Sequence, residues 1–147
     1  MGICIAQAEI LMLQQLRSEQ NFRLMVFSET RTSISSKLGE EITNYQELQD
    51  YENECIELAF EAETEGLDTS SDEYTEAYQE YLELKEDISK KYDRLIEKTQ
   101  RELDRKEQAM DIEQEQLETQ LEATDANLES YEALLEKNAK DEFGYFD

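Results

Sequence analysis

The sequence predicts an all-α protein, a long antiparallel helical hairpin of the coiled-coil type that goes on to associate into a helical bundle. Three observations predict it. The chain of 147 residues has no Pro and four Gly, and it is rich in Glu, Gln, Leu, Lys and Ala, which are good helix formers. Its Leu, Ile and Tyr recur at alternating spacings of three and four, the spacing of a helical seam. One interruption containing Gly and Ser splits the chain into two arms of similar length, the pattern of a helix pair joined by a short loop. Low hydrophobicity with a net charge of −24 would also suit a disordered chain. Disorder would not space the apolar residues so regularly, so helix is the better expectation.

The first arm is predicted over about residues 3–63. Ile3, Ala6, Ile10, Leu13, Leu24, Phe27, Ile34, Leu38, Tyr45, Leu48, Cys55 and Ala59 fall on one heptad stripe, with Arg17, Gln20, Arg31, Glu41 and Glu52 as polar insertions. Thr32 to Ser36 and Gly39 form its weakest patch, because hydroxyls compete for the backbone and Gly costs ~1 kcal/mol in a helix. A kink or a break is open there. The loop is predicted over residues 64–73. Gly66 suits the left-handed position after a helix end, and Ser70, Ser71 or Asp72 can cap the next helix, with Glu73 completing a capping box from Ser70.

The second arm is predicted over about 74–140. Tyr74, Tyr78, Tyr81, Lys85, Ile88, Tyr92, Leu95 and Thr99 form one seam, and Leu103, Met110, Leu117, Leu121, Thr124, Leu128, Tyr131 and Leu135 continue it. Between Leu95 and Leu103 two successive spacings of four mark a stutter, where a supercoil locally unwinds. Residues 141–147 read as a tail, and the whole chain reads as a single coiled-coil domain.

Charge is distributed in blocks. Residues 39–84 carry sixteen acids and no base, residues 85–106 carry eight bases and six acids, and residues 107–147 carry thirteen acids and two bases. Folding about residue 69 lays the basic block against Glu40, Glu41, Glu47, Asp50 and Glu52, which favours the antiparallel hairpin. Such a surface repels nucleic acid and anionic lipid, so no nucleic-acid partner is expected.

The residue inventory also bears on chemistry. There is no His, so the Glu-x-x-His motif of carboxylate-bridged metal bundles is missing, and 68–73 lacks the ligand alternation of an EF-hand. Neither a metal nor another cofactor is expected. Cys55 sits among Glu52, Glu54 and Glu57, which disfavour a thiolate nucleophile, so it reads as a seam residue. A two-helix hairpin offers no cleft for acid–base catalysis, and the expectation is a protein without enzymatic activity. No run of ~18 apolar residues predicts a membrane span. Met1-Gly2-Ile3-Cys4 resembles a dual-acylation start, but Ala6 stands where Ser or Thr is usual and no polybasic patch follows. The expected location is cytoplasmic, or exported without a cleavable signal peptide.

Candidate interaction residues come from apolar excess. Ile10, Leu11, Met12, Leu13, Leu16, Phe22, Met25 and Val26 are more than one seam can cover, which predicts contact with a second chain. Phe143, Tyr145 and Phe146 in the tail are candidate docking aromatics for another protein.

The opening, with Gly2, Gln7-Ala8, Leu11, Leu13, Arg17 and Arg31, resembles the start of a scattered group of uncharacterised bacterial coiled-coil proteins. The architecture of two long mating arms is similar to that of axial and needle-type subunits of flagellar and type III secretion systems, although those usually carry milder charge. The resemblance implies a self-assembling subunit of a bacterial secretion or surface structure. The alternative from charge is an acidic helical chaperone or adaptor that shields a protein partner. The partner is then the chain itself or another protein.

Overall fold

The computed structural model describes residues 2–143, with only the backbone of Phe143. Two helices make up almost all of it: α1 runs Gly2–Thr64 and α2 runs Asp72–Phe143. They pack against each other as an all-α helical hairpin. α2 therefore extends three residues into the predicted tail. The chain clusters into two compact units, Met1–Ser33 with Glu107–Asp147, and Ile34–Lys106.

Helix persists through the weak patch at 32–39. The hydroxyls of Thr30, Thr32 and Thr43 donate to the carbonyls of Val26, Ser28 and Gly39, four residues back, at 2.9–3.1 Å. These bonds are compatible with helical backbone, which they can bend slightly without ending it. The loop is built differently from the capping box. Gly66 takes φ +78°, as the position after the helix end requires. Ser71 caps α2: its Oγ accepts from the Tyr74 N–H at 3.2 Å, so the third helical position is Tyr74 and Glu73 has no box to close. Asp68 accepts the Ser70 N–H at 3.1 Å, which holds its carboxyl below the usual range.

In the unit formed by residues 1–33 and 107–147, the seam follows the predicted stripes closely. Ala6, Ile10, Met110, Thr124 and Leu128 are buried, and Leu13, Leu24, Phe27, Leu117, Leu121, Tyr131 and Leu135 are half-buried between them. Arg17 pairs with Asp125 at 3.7 Å, and Arg31 reaches both Asp111 and, at 2.8 Å, Gln114. Arg17 itself stays exposed, its guanidinium lying at the rim.

In the unit formed by residues 34–106 the second arm keeps its stutter: Leu95, Thr99 and Leu103 all turn inward. The first arm does not keep the predicted phase. After Ile34 and Leu38 the inward residues are Ile42, Tyr45, Gln49, Glu52, Ile56 and Phe60, while Glu41, Leu48, Cys55 and Ala59 are exposed. Ile34, Leu38 and Ile42 are themselves spaced four and four, a second stutter. Contacting pairs such as Glu52–Lys91 and Phe60–Tyr81 have numbers adding to about 142, which puts this stutter level with residues 100–108 of α2, overlapping the stutter there. Both helices must slip phase together if their stripes are to stay in contact. The same sum corrects the predicted pairing about residue 69 by one helical turn. α2 begins beyond the level at which α1 ends, and residues 65–71 span the difference.

Near the loop a further correction applies. Tyr78 and Lys85 are exposed, and buried Ala77 takes the inward position between Tyr74 and Tyr81. The small side chain admits Phe60, whose ring stacks on Tyr81 at 4.9 Å and meets Tyr74 and Tyr78 at 5.8 and 6.0 Å. Aromatic pairs of this kind contribute ~0.5–1.5 kcal/mol beyond burial.

The two internal glycines that bear on this architecture should respond oppositely to alanine. Gly39 lies within α1 with nothing inside 4 Å of an added Cβ, so Gly39→Ala should raise stability by ~0.5–1 kcal/mol. Gly66→Ala has equal space but a positive φ and should lower it by ~1 kcal/mol. Denaturant melts followed by circular dichroism measure both, and equal effects would remove the left-handed turn from this account.

Candidate interaction surfaces

The apolar residues of the two helices are arranged differently. Those of α2 lie mostly on one stripe, which faces α1. Those of α1 lie on several faces, and one stripe alone meets α2. The predicted interaction residues divide accordingly. Ile10 is buried and Leu13 half-buried in the intramolecular seam. Leu11 and Met12 are 66% exposed, Phe22 is 62% exposed, and Leu16, Met25 and Val26 are also exposed. Helical spacing carries Cys4, Ala8, Leu11, Gln15, Ser18, Phe22 and Met25 along one outward stripe at alternating steps of four and three. Ile5, Met12 and Val26 widen it. Phe22, Val26 and Phe27 also edge a shallow groove bounded across the seam by Glu113 and Leu117. The side chain of Phe143, and Tyr145 and Phe146 entirely, lie outside the described residues.

The second unit holds a polar cluster that the sequence did not mark as one. Glu52, read as a mere insertion in the seam, accepts hydrogen bonds from the Tyr92 hydroxyl at 2.8 Å and from Lys91 Nζ at 3.2 Å. Tyr92 is buried, so its hydroxyl needs an acceptor, and the carboxylate supplies one. The Tyr92 and Lys91 bonds hold Glu52 below its ordinary pKa of 4.5, and the same carboxylate pushes Tyr92 and Lys91 up. Of the acids that α1 was predicted to set against the basic block, Glu52 is the one ion-paired across the seam among the described residues. Lys90, Arg101 and Lys106 pair within α2, with Glu86, Glu97 and Glu102 four residues back. The useful signal for the cluster was a carboxylate and a Tyr that both fall on inward stripes at matching levels.

Cys55, expected in the seam, is an exposed free thiol, as is Cys4. The reason is the phase slip after Leu38, which turns Ile56 inward in its place. Among the described residues no group of three His, Cys, Asp or Glu side chains converges as a metal site, and no helix is long and apolar enough to cross a membrane. No family model matches the sequence, no curated protein matches it, and no solved structure matches the hairpin.

A depressed carboxylate pKa contributes stability above the unfolded value that is lost as pH falls through the folded value. Glu52→Gln should therefore destabilise most at neutral pH, and its difference from the unsubstituted chain should shrink as the pH drops through and below 4.5. Thermal melts at pH 7, 5 and 3.5 measure it. A difference that stays constant with pH would mean that the charge on Glu52 contributes nothing.

Proposed function

We propose that the chain is a structural coiled-coil subunit that associates with itself through the outer face of α1 between Cys4 and Val26, and that it works by assembly and not by catalysis. The observation that carries this reading is the exposed stripe through Leu11, Phe22 and Met25, which lies away from the seam with α2. An apolar stripe of this length on a hairpin with one seam leaves its surface in water, and a second helix relieves that cost.

Charge supports a second copy as the neighbour. In residues 2–28 the ionised side chains are Glu9, Arg17, Glu19 and Arg23, so this stretch is neutral within a chain of net charge −24. Two copies meeting α1 to α1 place their acidic α2 segments on opposite outer sides, each beyond its own α1. With ~8–10 Å between neighbouring helix axes, those segments stand more than a Debye length apart and repel weakly at ordinary ionic strength. The similarity of two mating arms to axial and needle-type secretion subunits is consistent with such an assembling role, and a bacterial surface or secretion structure is the setting that similarity suggests.

Light scattering of the purified chain over a range of concentrations should give the mass of a dimer or larger. Leu11→Glu with Met12→Glu keeps good helix formers on an exposed face, so helix content should hold while the mass falls towards the monomer. Ile112→Glu, on the outside of α2, should leave the mass unchanged. A chain that is monomeric at every concentration would overturn self-assembly and favour the acidic adaptor instead.

A further inference from the structure

The outer face of α1 carries a second pattern within the 34–106 unit. Leu48, Tyr51, Cys55, Leu58 and Ala62 follow spacings of 3, 4, 3 and 4, so they form one stripe nearly four turns long. All five are exposed: Leu48 at 49%, Tyr51 at 65% and Leu58 at 58%, with Cys55 and Ala62 beside them. None belongs to the seam with α2, which in this unit uses Ile42, Tyr45, Gln49, Ile56 and Phe60. The stripe is as regular as the seam itself.

Each residue of the stripe is preceded by an acid: Glu47, Asp50, Glu54, Glu57 and Glu61. One residue is 100° of helical turn, so these five carboxylates form a line parallel to the stripe along one edge. All five are exposed, and none makes an ion pair with the described bases of α2. Lys91, the α2 base that pairs across the seam in this unit, is held by Glu52. Residues 39–84 contain no base at all, so nothing on α1 neutralises the line. A second copy brought antiparallel onto this face by its equivalent face would set acid line against acid line, and a parallel copy offers the line no base, since residues 39–84 contain none.

We propose that this face is the docking surface for a basic amphipathic helix of a different protein, whose apolar stripe covers Leu48, Tyr51 and Leu58 and whose line of Lys or Arg lies along Glu47, Asp50, Glu54, Glu57 and Glu61. The apolar stripe supplies the area and the acid line supplies the selection. Binding of this kind is helix-on-helix recognition along a seam with apolar contacts at 3–4 spacing and charges at its edge. The acid edge speeds encounter and rejects acidic helices, including those of this chain. The proposal stands apart from self-assembly, because it uses a different segment of α1 and a different partner.

The test uses the full chain and a synthetic helical peptide of about 21 residues, with Leu at 3–4 spacing and Lys along one edge. The same peptide with Glu in place of Lys serves as the comparison. Binding is followed by fluorescence anisotropy of a dye on the peptide. The Lys peptide should bind, the Glu peptide should not, and added salt should weaken the complex. Glu54→Gln, Glu57→Gln and Glu61→Gln together should weaken it by roughly tenfold, as three rim pairs would. Leu48→Ser with Leu58→Ser should abolish it. Both sets are exposed, so circular dichroism should report unchanged helix. A control with Glu113→Gln, Glu115→Gln and Glu118→Gln removes the same charge from α2 and should leave affinity unchanged. If the control weakens binding as much as the α1 triple variant, the peptide is reading net charge alone and the proposal falls. It falls equally if the Leu48/Leu58 variant binds as well as the unsubstituted chain, or if the Lys peptide fails to bind.

Discussion

Two helices lying side by side can cover one stripe on each, and that limit governs this protein. α2 nearly obeys it, because most of its apolar residues from Ile88 to Leu135 fall on one stripe that meets α1, with Ile112 and Leu134 outside it. α1 exceeds it. One face holds Ala6, Ile10, Leu38, Ile56 and Phe60 against α2, and other faces hold Leu11, Phe22, Leu48 and Leu58 in solvent. A chain with 38% apolar residues and a net charge of −24 has little hydrophobic surface to spare. Surface left outside the seam in regular stripes is the observation on which the interaction roles proposed for α1 rest.

Charge then differentiates the two outer stripes. Within the 1–33 and 107–147 unit, α1 supplies the bases and α2 the acids, as in Arg17–Asp125 and Arg31–Asp111. Within the 34–106 unit the polarity reverses, with Glu52 of α1 paired to Lys91 of α2. Each pair has at least one exposed partner and is worth ~1 kcal/mol or less, so they choose orientation more than they add stability. Their consequence for the outer faces is larger. The N-terminal stripe is left neutral, which suits a like copy, and the later stripe is edged by five carboxylates, which suits a basic helix.

Much of the fold was legible in the sequence because it depends on local spacing. The second-arm seam from Ile88 to Leu135, the stutter at Leu95–Leu103 and the turn at Gly66 all follow from neighbours in the chain. The first arm beyond Leu38 was not legible in the same way. There Leu48, Tyr51, Cys55 and Leu58 compete with Ile42, Tyr45, Ile56 and Phe60 for the inward face, and both sets have helical spacing. The choice is made by the phase of α2 at the same level, which is a non-local constraint. The cap is Ser71 and not Ser70 because α2 begins at Asp72, a detail of loop geometry that spacing does not carry. The outward Leu11, Phe22 and Met25 were legible as an excess, while the acid-edged stripe was masked by assigning Leu48 and Cys55 to the seam.

The claim on which the rest depends is that the inward face of α1 meets α2 antiparallel, with numbers adding to about 142. Spin labels on Arg17→Cys and Asp125→Cys, in a chain whose Cys4 and Cys55 are Ser, test it by pulsed dipolar spectroscopy. Excess unlabelled chain removes signals between copies. With helix axes ~8–10 Å apart, the account predicts one narrow distance of roughly 10–25 Å once label tethers are included. A distribution centred well beyond ~30 Å, or a short distance that vanishes on dilution with unlabelled chain, would contradict the hairpin register and the division of α1 into an inner and an outer face.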